Sequence, residues 1–485
     1  MRADARRRRR LGAIAAAAIG GMGRASGRAL ENALGGAERT RVIVLLAAVL
    51  ALSSADTSTV GASATSLRDA LHISNTDVGL LVTVTSLVAA VASLPFGVLA
   101  DRVRRTWTLG GAIVLWGAAM VWSAVVPSFD DLLFARLFLG GVTAAAGPLV
   151  ASLVGDYFPA AERGRIYGYI LAGELAGAGV GFAVTGDLAA LSWRAAFLVL
   201  AFPAFVLAWL IFRLPEPARG GSGALASPKT PAEEPGDGDP ATDAQRLARE
   251  RGLEPDPELL LTRDPRRLGI FAATRYVLRI RTNVVLISAS ACGYFFLAGV
   301  QTFGVEFVTK QYGIGQALGT LVLLVVGVGG IGGVLVGGAL GDLLLRRQHL
   351  SGRILVSAVA ATAAVALFVP ALFAHTAFTA LPYITFAAFA LAAQNPPLDA
   401  ARLDIMVPLL WGRAEGVRTS LRTLAQALAP LLFGGASDYV FGGGRSGLQW
   451  TFTIMLLPLA ASAYFLYRAL ATYPRDVATA AAAFA

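Results

Sequence analysis

The sequence predicts an all-α membrane protein whose twelve transmembrane helices form two pseudo-symmetric six-helix bundles. The observations behind this prediction are an apolar composition, a charge motif that occurs twice, and a polar segment in mid-chain. Apolar residues make up 56% of the 485 residues and charged residues 15%, whereas an ordinary soluble domain has about 25% charged residues. Runs of about 20 apolar residues, long enough to cross a bilayer core, recur along the chain.

Twelve apolar runs are the predicted spans, and six lie on each side of a polar stretch. They begin near Val42, Val78, Trp107, Leu132, Arg165, Trp193, Asn283, Gln316, Gly352, Ala377, Thr419 and Gln449. The polar stretch is rich in Pro, Gly and mixed charges, which is typical of a disordered linker; its part 242–251 is predicted to form a short surface helix. We therefore expect a first bundle over 42–213, a central loop over 214–281, a second bundle over 282–470, and tails at 1–41 and 471–485.

The repeated charge motif follows the second span in one half and the eighth span in the other. Its copies are Gly97-x-x-x-Asp101-x-x-Arg104-Arg105 and Gly338-x-x-x-Asp342-x-x-x-Arg346-Arg347. The loops after the fourth and tenth spans also correspond, as Glu162-Arg163-Gly164-Arg165 and Glu415-Gly416-Val417-Arg418. Internal repeats of this kind are typical of secondary transporters, so the two halves are predicted to be duplicates.

The basic residues predict the orientation. With the N-terminus in the cytoplasm, only Arg68, Arg194, Lys310 and Arg445 fall in the loops on the opposite side. This bias satisfies the positive-inside rule and predicts a plasma (inner) membrane protein with both termini cytoplasmic. The arginines at 6–10 are expected to contact anionic lipid headgroups; an export signal and a misassigned start residue are the alternatives for this tail.

The motif residues Phe96-Gly97-Val98-Leu99-Ala100-Asp101-Arg102-Val103-Arg104-Arg105 resemble the signature loop of the major facilitator superfamily. Arg136 in the fourth span, the loop from Phe158 to Arg165, and Ser192-Trp193-Arg194-x-x-Phe197 are similar to that family as well. The resemblance covers nearly the whole chain outside the tail and the linker. It implies a secondary carrier that works by alternating access between two six-helix halves.

The two motif copies predict a cytoplasmic gate. Asp101 and Asp342 stand near helix ends, where arginines of the same loops or of the loops after the fourth and tenth spans can pair with them. These bonds would close the cytoplasmic side and break when the carrier opens inward; the alternative is that they only anchor loops at the headgroups. The predicted gate residues are Gly97, Asp101, Arg104, Arg105, Glu162, Arg165, Asp342, Arg346, Arg347 and Arg418.

Ionisable residues inside spans are costly, so each is a candidate for function. Asp56 lies in the middle of the first span, Arg136 begins the apolar run of the fourth, and Glu174 lies in the fifth among several glycines. A buried carboxylate beside an arginine can gain and lose a proton as its surroundings change. We therefore predict proton coupling at Asp56, Arg136 and Glu174. The alternatives are a hydrogen-bonded structural acid for Asp56 and a helix-end anchor for Arg136.

Polar residues and prolines interrupt the tenth span. Gln394 and Asn395 precede Pro396 and Pro397, and a broken helix that lines a cavity is a usual place for a substrate site. Gln394, Asn395 and Glu174 are the predicted substrate-binding residues. Asp399, Arg402 and Asp404, nearer the cytoplasmic end, are expected to pair with one another.

Enzymatic and metal chemistry have no support in the sequence. Cys292 is the only cysteine, the three histidines are far apart, and a phosphate-binding Gly-x-x-x-x-Gly-Lys-Ser/Thr loop is absent. We expect no cofactor, no metal and no nucleic-acid partner, and a monomer whose partners are protons, membrane lipids and a small-molecule substrate.

The substrate class rests on the first span and the segment after it. Asp56, followed by Gly61 and Leu71-x-Ile73-Ser74-x-x-x-x-Gly79-Leu80, resembles Spinster-type lysolipid carriers and related organic-anion and drug carriers, although Thr57 replaces the usual arginine after the aspartate. The interpretation is a proton-coupled carrier of an amphipathic or lysolipid-like substrate. The alternatives are a carrier of drugs, organic acids or sugars, and a non-transporting membrane receptor or scaffold with a transporter-like fold.

Overall fold

The computed structural model describes residues 31, 34–73, 75–220, 225, 242–261, 264–265, 268–314, 316–442 and 444–483. All regular secondary structure in these residues is helical. Most of the predicted N-terminal tail and the Pro-rich part of the central loop lie outside the described residues.

Within the described residues, the first half of the bundle contains eight α-helices. They are α1 Ala37–Ala62, α2 Ala64–Leu71, α3 Asn75–Arg102, α4 Arg105–Val125, α5 Phe129–Thr143, α6 Ala146–Tyr157, α7 Arg163–Leu191 and α8 Trp193–Phe212. The short α9 Asp243–Glu250 and α10 Ile270–Arg279 follow in the central loop, where the sequence predicts one short helix. The second half comprises α11 Arg281–Tyr312, α12 Gln316–Arg346, α13 Gly352–Phe373, α14 Ala377–Ala393, α15 Asn395–Asp404, α16 Trp411–Gly435 and α17 Gly444–Ala482.

Ten segments of the described chain are long and apolar enough to cross a membrane. Two further long helices complete the predicted twelve: α7, with 29 residues, and α16, with 25. The fourth span consists of α5 and α6, and the tenth consists of α14 and α15. The last helix continues past residue 470 to Ala482.

The break in the tenth span lies at Gln394, directly before α15, whose second and third residues are Pro396 and Pro397. Proline lacks a backbone N–H, so a carbonyl one turn earlier loses its helical partner. The hydroxyl of Ser357 on α13 donates a hydrogen bond of 2.8 Å to the Gln394 carbonyl. The neighbouring helix thus satisfies a polar group at the break.

The halves pack against each other through two equivalent helix pairs, α3 with α16 and α7 with α12. Within the first half, α7 also packs closely on α1. A Cβ atom placed on Gly177 would lie 2.3 Å from the Ala51 carbonyl oxygen, and one on Gly181 would lie 2.5 Å from the Ala55 Cα. These small residues bring the α7 backbone against α1, as the sequence around Glu174 predicts.

The loops 103–104 and 347–351, next to the arginines of the two motif copies, lie at the same end of the bundle as α9 and α10, here called the basic end. Arg102 donates to the Leu268 carbonyl at 3.1 Å, and Arg413 donates to the Pro265 carbonyl at 2.7 Å. Gln245 of α9 donates to the Asp404 carbonyl at 2.9 Å. The described part of the central loop therefore touches both halves at this end.

Candidate functional site

The carboxylate of Asp101 joins α3 to the first turn of α16. It accepts hydrogen bonds from the backbone N–H groups of Gly412 at 2.8 Å and Arg413 at 3.1 Å. The Arg413 guanidinium lies 3.3 Å from the same carboxylate. The first N–H groups of a helix have no partner within it, and the helix dipole favours a negative charge there. Asp101 is therefore a helix cap supplied by the other half of the molecule.

Asp342 makes the equivalent contact in the opposite direction, from α12 to α7. It accepts hydrogen bonds from the N–H groups of Gly164 at 3.1 Å and Arg165 at 2.7 Å. Arg353 of α13 lies 2.7 Å from Asp342 and 2.6 Å from Asp404, so it joins both carboxylates. Asp342 and Arg353 are almost fully buried.

Glycines permit these close approaches at the basic end. A Cβ atom on Gly97 would lie 2.7 Å from the Gly412 carbonyl oxygen, and one on Gly338 would lie 2.1 Å from the Gly164 carbonyl oxygen. Real Cβ atoms do not approach that closely, so only glycine fits at these two crossings. The glycine of each motif copy thus sets the distance between the halves, and the aspartate one turn later caps the helix that is crossed.

The structure corrects the alignment of the loops after the fourth and tenth spans. The helices capped by the two aspartates begin with Arg163-Gly164-Arg165 and Trp411-Gly412-Arg413. Gly164 is therefore equivalent to Gly412, not to the Val417 that the sequence comparison places opposite it. Each helix follows a 3-10 turn, Ala160–Glu162 or Pro408–Leu410. The guanidinium of Arg163 lies over the ring of its counterpart Trp411, 4.8 Å from its centroid.

The arginines predicted to pair with the aspartates of the gate lie elsewhere. Arg104 lies over Trp107, and Arg346 and Arg347 are exposed. Arg105 is buried against Asp156 and Glu216. The ion-pair partners of Asp101 and Asp342 are instead Arg413 and Arg353, which the sequence analysis did not single out.

The other two predicted gate residues after the fourth span pair within the first half. Glu162 forms an ion pair with Arg39 of α1 and lies 3.6 Å from Arg165. Glu162 therefore ties the start of α7 to α1, while the backbone N–H of Arg165 binds Asp342.

Glu216, just after α8, caps the N-terminus of α4. Its carboxylate accepts from the backbone N–H groups of Arg105 at 3.1 Å and Thr106 at 2.9 Å, and from the Arg105 guanidinium at 2.8 Å. Burial alone would raise the pKa of Glu216, but the hydrogen bonds from Thr106 and Arg105 outweigh it and hold that pKa below its usual range. Arg219 donates to the carbonyls of Ala100 and Val103 at 3.1 and 2.6 Å. The segment after α8 thus fastens both sides of the α3–α4 loop.

Asp56 and Arg136 form a buried ion pair between α1 and α5. The Arg136 Nη1 atom lies 2.9 Å from Asp56 Oδ1. Arg136 is 1% exposed and Asp56 is 4% exposed. The guanidinium lies over the ring of Phe197, 4.6 Å from its centroid. Its Nε and Nη2 atoms have no hydrogen-bond partner among the described residues. The sequence predicts this neighbourhood, and the structure brings the two residues together.

Glu174 lies on α7 at the interface between the halves. Ser54 of α1 is its hydrogen-bonding neighbour, and the charged groups that act on it are Arg422 and Arg418 of α16 and Asp399 of α15. Glu174 is therefore apart from the Asp56–Arg136 pair, although the sequence analysis grouped the three residues as one coupling set.

Gln394 and Asn395 lie at the break of the tenth span. Gln394 is 3% exposed, and its Nε2 atom lies 2.9 Å from the position that a Cβ on Gly293 of α11 would occupy. Its Oε1 atom is buried without a hydrogen-bond partner among the described residues. Asn395 is half-buried. Gln394 thus presents an unsatisfied acceptor inside the second half.

Four charged residues close to this break form one buried network. Arg402 lies 2.6 Å from Glu415 and also pairs with Asp399, while Arg418 contacts Glu415 and lies 3.6 Å from Asp399. Arg418 therefore belongs to this network and not to the contacts of Asp101 or Asp342. Asp404, expected to pair with Asp399 and Arg402, binds Arg353 and Tyr473 instead.

Comparison with known proteins decides the family. The family model of the Major Facilitator Superfamily matches residues 44–430. The chain belongs to the Major Facilitator Superfamily. It is a membrane transporter of small molecules, not an enzyme.

Curated relatives of this superfamily member include sugar-acid transporters. A probable L-galactonate transporter of Escherichia coli is 27% identical over 163 residues, which are 33% of this chain and 36% of the relative. A hexuronate transporter of Bacillus subtilis is 27% identical over 180 residues, which are 36% and 42% of the two chains. The matches thus span less than half of these relatives.

Solved structures share the fold over most of the chain. The Escherichia coli fucose:proton symporter has a TM-score of 0.64 and 12% identity, and the alignment covers 88% of this chain and 98% of that one. A bacterial homologue of the human lysosomal transporter Spinster, in an inward-facing state, has a TM-score of 0.57 and 19% identity. The alignment covers 90% of this chain and 98% of that one.

Proposed function

We propose that this protein is a proton-coupled carrier of small polar organic acids, with sugar acids as the leading class. It works by alternating access, as a monomer, in the plasma (inner) membrane with both termini and the basic end in the cytoplasm. The observation that carries proton coupling is the buried ion pair of Asp56 and Arg136, 2.9 Å apart between two helices of the first half. An acid whose counter-ion can shift is a suitable site for taking up and releasing a proton as the bundle opens.

Alternating access is supported by the two crossed helix caps. Asp101 and Asp342 bind helix ends of the opposite halves, so both bonds must break when the halves separate at the basic end. At the two helix crossings the nearest atoms are backbone atoms of the opposite half. Once the halves separate, water must therefore replace the lost hydrogen bonds. The caps therefore favour a two-state gate over a continuously adjustable one. Gly97, Asp101, Gly338 and Asp342 are its proposed core, with Arg413 and Arg353 as partners.

The substrate class rests on the relatives and on the charges of the interior. Both curated relatives described above are named for sugar acids. Thr57 stands where lysolipid carriers of the Spinster type have an arginine, and the buried groups near the middle of the bundle, such as Gln394 and Arg418, are polar. These features favour a hydrophilic acid over the lysolipid that the sequence alone favours. The lysolipid remains the second candidate because a Spinster homologue shares the fold.

The test is transport by the purified full-length protein in liposomes. An imposed inward proton gradient should drive uptake of a sugar acid such as glucuronate or galactonate, and collapsing the gradient should stop it. Asp56→Asn should abolish uptake driven by the proton gradient while leaving exchange of internal for external substrate. Asp69→Asn, which changes an exposed acid of α2, is the matched control and should behave as wild type.

Three outcomes would contradict the proposal. Full gradient-driven uptake by Asp56→Asn would remove Asp56 as the coupling site. Uptake of lysolipids but not of sugar acids would replace the substrate class with the second candidate. Movement of no substrate from a panel of sugar acids, sugars, drugs and lysolipids, together with binding of a protein partner, would instead favour a receptor or scaffold.

A further inference from the structure

Arg422 is another arginine of a span helix that the sequence analysis did not single out. It lies on α16, four residues and so about one helical turn beyond Arg418. Its guanidinium stacks on Tyr294 of α11, 4.4 Å from the ring centroid. Its Nε atom is buried and has no hydrogen-bond partner, and no carboxylate lies within 4 Å of the side chain in the part of the chain that the structure describes.

The surrounding charges are already balanced without Arg422. Asp399, Arg402, Glu415 and Arg418 bring two negative and two positive charges into one network. Asp56 and Arg136 neutralise each other in the first half. Arg422 makes no contact ion pair with a carboxylate among the described residues, and a negative charge that acts on it is that of Glu174 on the other half. A guanidinium keeps its charge in proteins, so protonation of Glu174 leaves Arg422 without that counter-charge unless another anion binds there.

We infer that Arg422 binds a carboxylate of the substrate, with Tyr294 holding the guanidinium in place and Glu174 facing it from the other half. This rests on the proposed function and names its binding residue. A guanidinium presents parallel N–H donors that match the two oxygens of a carboxylate. Tyr294 covers one face of the guanidinium, which leaves the donor edge for the ligand. The site joins α16 and α11 of one half to α7 of the other, where a substrate can sense both halves.

Glu174 links binding of the acid to binding of a proton, so that each strengthens the other. The groups that face Glu174 are Arg422 and Arg418 from α16, Asp399 from α15 and Ser54 from α1, while Tyr294 is the nearby group on α11. A substrate carboxylate on Arg422 places a second negative charge beside Glu174 and competes for the same cation. A proton on Glu174 removes both effects. By linkage, lowering the pH strengthens binding of the acid, and the acid promotes protonation to the same degree.

The experiment measures binding of glucuronate, its uncharged amide glucuronamide, and galactonate to purified full-length protein, with uptake of the same compounds into liposomes. Arg422→Gln should weaken glucuronate binding on the order of 10- to 100-fold, the loss expected for a charge-assisted pair. Arg422→Lys should bind glucuronate with an affinity between those of the wild type and Arg422→Gln, because lysine keeps the charge but loses the paired donors. The control is Arg213→Gln, since Arg213 also stacks on an aromatic ring, Trp209 at 3.7 Å, but is exposed at the basic end.

The pH series and the amide test the inference even where Arg422→Gln does not fold. Wild-type protein should bind glucuronate more tightly at pH 5.5 than at pH 7.5 and should bind the amide weakly at both values. Glu174→Gln should bind glucuronate with little dependence on pH. Equal binding of glucuronate and its amide by the wild type would overturn the inference.

The outcomes separate the inference from the proposed function. If the wild type carries sugar acids under a proton gradient and Arg422→Gln binds them with wild-type affinity, the function stands and the assignment of Arg422 is overturned. If the wild type carries only neutral sugars or lysolipids, the proposed substrate class and this assignment both fall. If Arg422→Gln no longer binds or carries the sugar acid while Arg213→Gln still does, the proposed function and the assignment of Arg422 are both supported.

Discussion

The carboxylate of Asp101 accepts a hydrogen bond of 2.8 Å from the backbone N–H of Gly412, 311 residues further along the chain. Asp342 repeats the relationship with Gly164 at 3.1 Å. Each half therefore supplies the cap for a helix of the other. Opening the basic end must expose the first turns of α7 and α16 together with both carboxylates. The two contacts are thus coupled energetically through the separation of the halves.

Asp101→Asn should shift the carrier toward the state that is open at the basic end. Asparagine still accepts a hydrogen bond but lacks the charge that favours the helix N-terminus and Arg413. A loss of about 1 kcal/mol would raise the ratio of open to closed carrier roughly fivefold. The measurement is the labelling rate of Ser93→Cys in a Cys292→Ser background, since Ser93 is fully buried at the α3–α16 contact and bonds the Gly416 carbonyl.

The matched control for this substitution is Asp187→Asn, which alters an exposed acid at the far end of α7. It should leave the labelling rate of Ser93→Cys unchanged. Asp342→Asn should raise that rate like Asp101→Asn, because either cap holds the same closure. Equal labelling of the Ser93→Cys parent and of its Asp101→Asn, Asp342→Asn and Asp187→Asn variants would show that the caps do not control the closure.

Gly97→Ala should open the same end by a steric route. The added methyl group would lie 2.7 Å from the Gly412 carbonyl oxygen and 3.0 Å from the Arg413 Cα. Overpacking costs about 1–3 kcal/mol, and it acts only while the halves are closed there. Labelling of Ser93→Cys should therefore accelerate and uptake should slow. Gly111→Ala, where a Cβ meets nothing within 4 Å, should keep wild-type labelling and uptake; acceleration in both variants would indicate a general loss of packing.

The sequence could predict the duplicated halves because the glycine and aspartate of each motif copy keep their spacing within one local segment. It could also predict that Asp56 and Arg136 are neighbours, because charges inside spans are rare and tend to pair. It could not predict the partners of Asp101 and Asp342. These are backbone N–H groups of helices in the opposite half, and any residue type supplies such a donor.

Arg422 escaped the sequence analysis for a different physical reason. It stands just inside the predicted start of the eleventh span near Thr419 and follows Arg413 and Arg418 closely, so the count of basic residues assigns it to the loop, whereas α16 begins at Trp411 and carries all three arginines on one helix. The boundary between loop and span decides whether an arginine belongs to the headgroups or to the interior. Composition near a helix end does not fix that boundary.

Glu216→Gln should weaken the α4 cap and change how stability depends on pH. The native pKa of Glu216 is lowered, because the hydrogen bonds from Thr106 and Arg105 outweigh the cost of burial. Its contribution is therefore present above the unfolded value of about 4.3 and is lost as the pH falls through the lower native value. Thermal unfolding of the wild type should lose stability on acidification to below about pH 4, and the variant should lose less.

The control for the pH series is Glu258→Gln, a change of an exposed glutamate in the central loop. Its melting curve should follow the wild type at every pH. Near neutral pH, Glu216→Gln should cost about 1–2 kcal/mol, since a charged cap at a helix N-terminus is lost. Parallel pH curves for wild type and Glu216→Gln would show that the carboxylate is not the favoured partner of Thr106 and Arg105.

The Asp56–Arg136 pair should give a strongly non-additive double-mutant cycle. Breaking a buried pair from one side costs about 3–5 kcal/mol, because the remaining charge is uncompensated. Asp56→Asn should be the more destabilising change, since Arg136 cannot give up its charge, whereas Asp56 can take up a proton when Arg136→Gln removes its partner. The double variant should recover at least about 1 kcal/mol relative to the sum of the single costs. The measurement is chemical unfolding of the four proteins in the same detergent. Because the double variant has neither charge, it should stay uncoupled from protons even where it regains stability. Additive unfolding costs, or gradient-driven uptake by the double variant, would contradict the assignment.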